Sequence, residues 1–155
     1  MKEKNILITG GNAGIGLATA IALAQKGATI YIVSRSKEKA EAAITKIKTE
    51  SKNNDIHYFI ADLSSQKSIR NLVQEINKKL TKLDVLINNA GGVFSDFQLS
   101  EDGIEMTLAT NHFSFFLLTH LLLDLLKKSD AARIINVSSD SHYKGKIDID
   151  SFTQN

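Results

Sequence analysis

Asn5-Ile6-Leu7-Ile8-Thr9-Gly10-Gly11-Asn12-Ala13-Gly14-Ile15-Gly16 is the stretch whose reading decides the fold. A short apolar run of strand length meets a glycine cluster, and small and aliphatic residues over 14–26 then continue with helical character. Glycines at such a junction turn the chain tightly and let the backbone approach a pyrophosphate, while the helix N-terminus faces the anion. The spacing Gly10-x-x-x-Gly14-x-Gly16 differs from the Gly-x-Gly-x-x-Gly of many dinucleotide-binding turns. No Lys-Ser/Thr follows it, which disfavours a nucleoside triphosphatase. The bland alternative is a glycine-rich turn with no ligand, and the position between a strand and an alanine-rich helix argues against it.

Outward from this stretch the same alternation repeats. Gly27 is placed to end the first helix, and 28–33 reads as a second strand. Ser36 can cap a lysine-rich helix to about residue 51, and strands follow at 56–61, 83–88 and 133–137, with helices at 65–80 and 103–128 between them. Strands that are apolar nearly throughout, separated by helices, predict an α/β fold: a doubly wound parallel sheet of Rossmann type with right-handed crossovers. A single domain over 1–155 is expected from the absence of any break in composition.

Composition narrows the function. Nineteen Lys+Arg against seventeen Asp+Glu leave a formal charge of +2, too small and scattered to indicate nucleic acid or an anionic membrane as partner. With no cysteine, disulfides and thiolate chemistry are excluded. The first residues do not read as an export signal. The apolar stretch 113–126, broken by His120 and Asp124, is shorter than the ~20 residues a bilayer needs and reads as a buried helix. A cytoplasmic protein without a membrane span is the expectation. His112 and His120 read as packing or helix-edge residues, no metal site is expected, and Asp62 and Asp84 do not read as a carboxylate pair.

Several motifs in order resemble the short-chain dehydrogenase/reductase family: Thr9 to Gly16, Asp62-Leu63 after the third strand, Asn88-Asn89-Ala90-Gly91 after the fourth, Asn111 in the next helix and Asn136-Val137-Ser138-Ser139 after the fifth. The resemblance implies cofactor contacts from Gly10, Asn12, Gly14, Ile15 and Gly16, from Asp62 and Leu63 at the adenine, and from Asn89, Ala90 and Gly91. It also implies Ser139 as the catalytic serine that positions a carbonyl, and Asn111 as a catalytic-site asparagine organising a water chain. Within the family, Thr-Gly-x-Asn-x-Gly-Ile-Gly and the run from Arg133 to Ser139 followed by Gly145-Lys146-Ile147 are similar to the retinol-dehydrogenase-like branch.

The end of the second strand reads Ser34-Arg35-Ser36-Lys37. A carboxylate there would accept hydrogen bonds from a free ribose 2′-hydroxyl, whereas Arg35 offers a planar donor fork to a 2′-phosphate. The expected cofactor is NADP(H). The reaction implied by the family is hydride transfer between nicotinamide and a small-molecule alcohol or carbonyl, with a tyrosine acid and a lysine four residues later. Tyr31, Tyr58 and Tyr143 are followed at that spacing by Arg35, Asp62 and Ile147, so no tyrosine here has the partner; Tyr143, with Lys146 three residues on, reads as a loop residue. The chain is therefore expected to be a C-terminally truncated copy lacking the last strands, and to form homo-oligomers through its uncovered sheet edge. A non-catalytic NADP(H)-binding module or an inactive remnant is the alternative.

Overall fold

The computed structural model describes residues 1–140 and Tyr143; Gly145, Lys146, Ile147 and His142 lie outside the described residues. Five strands, β1 (Asn5–Thr9), β2 (Thr29–Ser34), β3 (Ile56–Ile60), β4 (Val85–Asn88) and β5 (Arg133–Asn136), form one parallel sheet in the order β3-β2-β1-β4-β5. Helices α1 (Gly14–Gln25), α2 (Lys37–Ser51) and α3 (Gln66–Lys79) lie between the first four strands. A helical rod joins β4 to β5: α4 (Met106–Leu108), a π-helical turn (Ala109–Phe113) and α5 (Ser114–Leu126). This is the expected doubly wound architecture.

The period of two in a strand explains why β1 and β2 are apolar throughout. Ile6, Ile8, Ile30 and Ile32 point to the face covered by α1 and α2, while Leu7, Tyr31 and Val33 join Leu72, Ile76, Leu118 and Leu122 of α3 and α5 on the other. Burying each such aliphatic side chain contributes roughly 1.5–3 kcal/mol. Small residues on the inner side of α1, Gly16, Ala20 and Ala24, let that helix approach the sheet closely. Helix ends follow local chemistry. Gly27 adopts φ +81° beyond α1, the Ser36 hydroxyl accepts from Lys39 N–H at 3.2 Å, and Ser65 accepts from Ser68 N–H at 3.1 Å.

Two differences from the sequence reading have clear causes. The last helix begins at Met106 rather than Gly103, because Gly103 takes φ +73° in a turn and Glu105 then caps the helix, its carboxylate accepting from Thr107 and Leu108 N–H at 2.8 Å each. Burial alone would raise the Glu105 pKa, but those two N–H donors more than offset it and hold it below the ordinary value. The stretch 113–126 is not a wholly buried helix and belongs to a longer rod. Leu118, Leu122, Leu125 and Leu126 are buried, while Phe113 and Phe116 are exposed, since α3, β4 and β5 all pack on one side. By length and composition alone the 21-residue rod Met106–Leu126 is apolar enough to cross a bilayer.

Candidate functional site

β1 has β2 on one side and β4 on the other, so the chain leaves the sheet in opposite directions at the carboxyl ends of β1 and β4, and a crevice opens there. Thr9, buried at the end of β1, holds the crevice together: its hydroxyl oxygen accepts from the N–H of Asn89 and of Ala90, each at 2.9 Å, and the hydroxyl is 3.4 Å from the Ile87 carbonyl it faces. Asn89 returns the link, its Nδ2 donating to the Thr9 carbonyl at 2.9 Å and to the Gly10 carbonyl at 3.4 Å. The two loops are thereby locked together.

The glycines divide into two roles. Gly10 (φ +66°) and Gly14 (φ +52°) occupy backbone conformations that L side chains rarely adopt, and both line the cavity. A Cβ at Gly14 would meet nothing within 4 Å, so its surroundings leave open the space an incoming ligand would fill. α1 starts there with Ala13 as its N-cap, which makes no side-chain capping bond, and first-turn N–H groups remain available to an anion. Gly16 does not line the cavity. Its Cβ would stand 2.5 Å from both Asn89 Nδ2 and the Gly10 carbonyl oxygen, so a glycine is required there for packing.

The cavity has a volume of about 820 Å³, a size suited to a large organic ligand. One end is the Gly10–Ile15 turn, with Asn12 and an exposed Ile15 on its rim. Arg35 stands along the cavity beside Ser34 and Ser36, and Asp62 and Leu63 form the wall at the end of β3. The Asp62 carboxylate already accepts from Ser64 N–H at 2.9 Å and Ser64 Oγ at 2.8 Å, which sets the turn into α3. Asn89, Ala90 and Gly91 supply the floor. The residues expected at the cofactor thus converge on one cavity, Gly16 excepted.

The two expected catalytic residues sit differently. Asn111, on the π-helical turn, bonds the loop after β4 at both ends of its amide: Gly92 N–H donates to its Oδ1 at 2.9 Å, and its Nδ2 donates to the Gly92 carbonyl at 2.8 Å. A π-turn rotates the side chains that follow and is common at functional positions. Ser139 lies exposed beyond β5, its Oγ 3.5 Å from Asp140 Oδ1, and is not part of the cavity wall. Tyr143 is 83% exposed.

Asp84 belongs to the opposite end of the sheet from Asp62, so the two form no pair. It is buried between the starts of β1 and β4, where Ser129 Oγ (2.6 Å), Asn5 N–H (2.9 Å) and Lys4 Nζ (3.0 Å) donate to its carboxylate. Burial alone would raise its pKa; these donors and the Lys4 charge outweigh it and lower it to about 2. His120 stacks on Phe116 at 6.3 Å, and among the described residues no group of three metal-ligating side chains occurs.

Some site features escaped the sequence reading. Thr9 was legible only as part of a fingerprint. Lys39 and Phe94 also line the cavity; the spacing of Lys39 from Arg35, one turn into a helix capped by Ser36, was a usable signal, whereas Phe94 lies in a loop without periodicity. A further link joins the loops outside the cavity. Ser65 Oγ donates to Glu101, and Gln66 N–H donates to Asp102 Oδ2 at 2.8 Å, pinning the start of α3 to the turn before the helical rod.

The strand order, the glycine turn and the crevice define a dinucleotide-binding fold of Rossmann class. The sequence profile described as short chain dehydrogenase matches residues 4–150, and the chain belongs to that family. It is 45% identical over 147 residues to retinol dehydrogenase 13 from Homo sapiens, a match covering 95% of this chain and 44% of the relative. Among solved structures it is similar to the Pseudomonas aeruginosa RhlG/NADP active-site complex (TM-score 0.77, 31% identity, 90% of this chain and 56% of that one). It is also similar to a short chain dehydrogenase from Shigella flexneri 2a str. 301 complexed with NADP (TM-score 0.81, 30% identity, 94% and 63%). The chain spans less than half the length of the retinol dehydrogenases it matches.

Proposed function

We propose that residues 1–155 form the nucleotide-binding part of an NADP(H)-dependent oxidoreductase domain that transfers hydride between nicotinamide and a small alcohol or carbonyl substrate. The observation that carries this reading is the 820 Å³ cavity running from the Gly10–Ile15 turn past Arg35 to Asn89 and Gly91. The NADP complexes among its structural neighbours point the same way. First-turn N–H groups of α1 hold the pyrophosphate, Arg35 pairs with the 2′-phosphate, Asp62 and Leu63 bound the adenine, and Asn89 to Gly91 support the nicotinamide half. The bound cofactor supplies or accepts the hydride. Ser139 Oγ would donate to the substrate oxygen as negative charge develops on it, and Asn111 fixes the Gly92 loop. Proton delivery is not assigned to a residue of this chain, none of whose tyrosines has lysine at the fourth following position.

Titration with NADPH and NADH, followed by nicotinamide fluorescence, tests the reading. Saturable binding that favours NADPH, with NADPH affinity at least about tenfold weaker in Arg35→Asp, is expected because the variant sets a carboxylate against the phosphate. Equal or absent binding of the two cofactors would overturn it.

We infer self-association as well. Phe116 is 66% exposed on the helical rod, a large apolar side chain that a second copy can cover. Light scattering is expected to give a mass above 17.0 kDa, and a monodisperse monomer would count against it.

A further inference from the structure

We propose that Asp102, with Glu101 beside it, is a positioning residue for the adenine end of the cofactor, holding the Asp62–Leu63 wall against the loop and rod that follow β4; the proposal rests on the NADP(H) reading above. Asp62 and Leu63 lead into α3, while Gly92, Phe94 and Thr110 line the cavity from the segment after β4. Glu101 and Asp102 are exposed on that segment and outside the cavity. From there they reach α3, thirty-six residues back: the Gln66 N–H donates to Asp102 Oδ2 at 2.8 Å, and the Ser65 hydroxyl donates to Glu101. Among the described residues these two are the hydrogen bonds that join the start of α3 to the turn before the rod.

Each side of the link is stiff, so a shift at the link reaches the cavity. Ser65 N–H donates to the Asp62 carbonyl at 3.3 Å and Asp62 N–H to Ser68 Oγ at 2.9 Å, which fastens the first turn of α3 to the wall. On the other side Ser100 N–H donates to the Ile104 carbonyl at 2.8 Å and Met106 N–H to the Gln98 carbonyl at 2.9 Å, closing the turn onto the rod. Packing does not replace the link. Farther along, Leu72 and Ile76 of α3 share the core with Leu118 and Leu122 of the rod, whereas near the link an open cavity of about 260 Å³ separates Gln66 and Ile69 from Ile104 and Phe113. Leu63 lines both cavities, so movement of α3 about the smaller one moves the wall of the larger. Helix electrostatics explain why carboxylates make the contact. The first turn of α3 has no acidic residue and contains Lys67, so Glu101 and Asp102 supply the negative charge that its N-terminal N–H groups favour.

The test is titration with NADPH, and with adenosine 2′,5′-bisphosphate as a probe of the adenine end, on the wild-type chain, Asp102→Ala, Asp102→Asn, Gln66→Ala, Gln66→Pro and the double variant Asp102→Ala/Gln66→Pro. Gln66 is the first residue of α3, where proline is tolerated, and Ser65 before it is already extended (φ −111°, ψ 118°), so Gln66→Pro deletes the donor and keeps the helix. Loss of one exposed charge-assisted bond is expected to weaken both ligands about three- to fivefold in Asp102→Ala and in Gln66→Pro. The double variant is expected to be no weaker than either single one, because both remove the same bond. Asp102→Asn keeps an acceptor oxygen and Gln66→Ala keeps the N–H, so both stay within about twofold of the wild type. If the single variants bind as the wild type does, if their losses multiply in the double variant, or if Asp102→Asn is as weak as Asp102→Ala, the assignment of Asp102 is overturned and the cofactor reading survives. If the wild type does not bind NADPH, both fall.

Discussion

Replacing Gly16 with alanine is expected to destabilise the fold by about 2–3 kcal/mol and to weaken NADPH binding more than tenfold, the usual cost of forcing a methyl into a packed interior being about 1–3 kcal/mol. The upper part of that range applies because of what the methyl meets. Its carbon would stand 2.5 Å from Asn89 Nδ2 and from the Gly10 carbonyl oxygen, and 3.0 Å from the Gly10 carbonyl carbon. Gly10 cannot withdraw, since its N–H donates to the Val33 carbonyl at 2.9 Å and its own φ is +66°. Asn89 cannot rotate away without surrendering its bond to the Thr9 carbonyl at 2.9 Å. The remaining response is displacement of α1 away from the turn, which carries its first-turn N–H groups out of register with Gly10. Gly14→Ala provides the contrast. Its methyl meets nothing within 4 Å, so it pays only the strain of a left-handed φ, about 1 kcal/mol, and does not move the helix. Urea denaturation and NADPH titration of both variants check this; equal effects of the two would show that steric contact at Gly16 is not what matters.

Asp84→Ala is expected to cost about 3 kcal/mol, the range for removing one partner of a buried charge-paired group, although it lies far from the cavity. It strands the Asn5 N–H and Ser129 hydroxyl and leaves Lys4 and Lys82 facing each other where β1 and β4 begin. The same residue sets an acid limit on stability. The folded-state pKa is depressed to about 2 from the ordinary 3.8, so the contribution is fully present above about pH 4 and is lost as pH falls toward 2. A difference of nearly two pH units corresponds to about 2 kcal/mol. Denaturation of wild type and Asp84→Asn between pH 2 and 7 measures it: the gap is expected to be constant at neutral pH and to close below pH 4. A gap independent of pH would mean that Asp84 acts by shape and not by charge. Cofactor affinity above pH 5 is expected to be unaffected in Asp84→Asn, since the carboxylate and the cavity occupy opposite ends of the sheet.

What the sequence by itself determined was whatever depends on neighbours along the chain. Runs of β-branched residues marked the strands, of which β1, β2 and β4 are buried on both faces, Ser36 and Ser65 marked helix starts, Gly27 marked a helix end, and Thr9 to Gly16 marked the tight turn between β1 and α1. Ser34-Arg35-Ser36 marked a stretch that lines the cavity. These are short-range matters of steric freedom, capping and periodicity, and they survive in any context that lets the chain fold.

The tertiary structure alone decided the rest, because it depends on residues from nineteen to about eighty positions apart. Thr9 became the joint between β1 and β4 only when the sheet order set Asn89 and Ala90 beside it. Gly16, expected at the cofactor, is also held by packing: besides the Gly10 carbonyl, a Cβ there would meet Asn89, a residue no local pattern places beside it. The rod from Met106 to Leu126 acquired a buried face and an exposed one because α3, β4 and β5 reach it from one side, and its π-turn aimed Asn111 at Gly92. Asn111's amide therefore meets the Gly92 backbone, a partner that hydrogen-bond geometry across nineteen residues selects and chain periodicity does not.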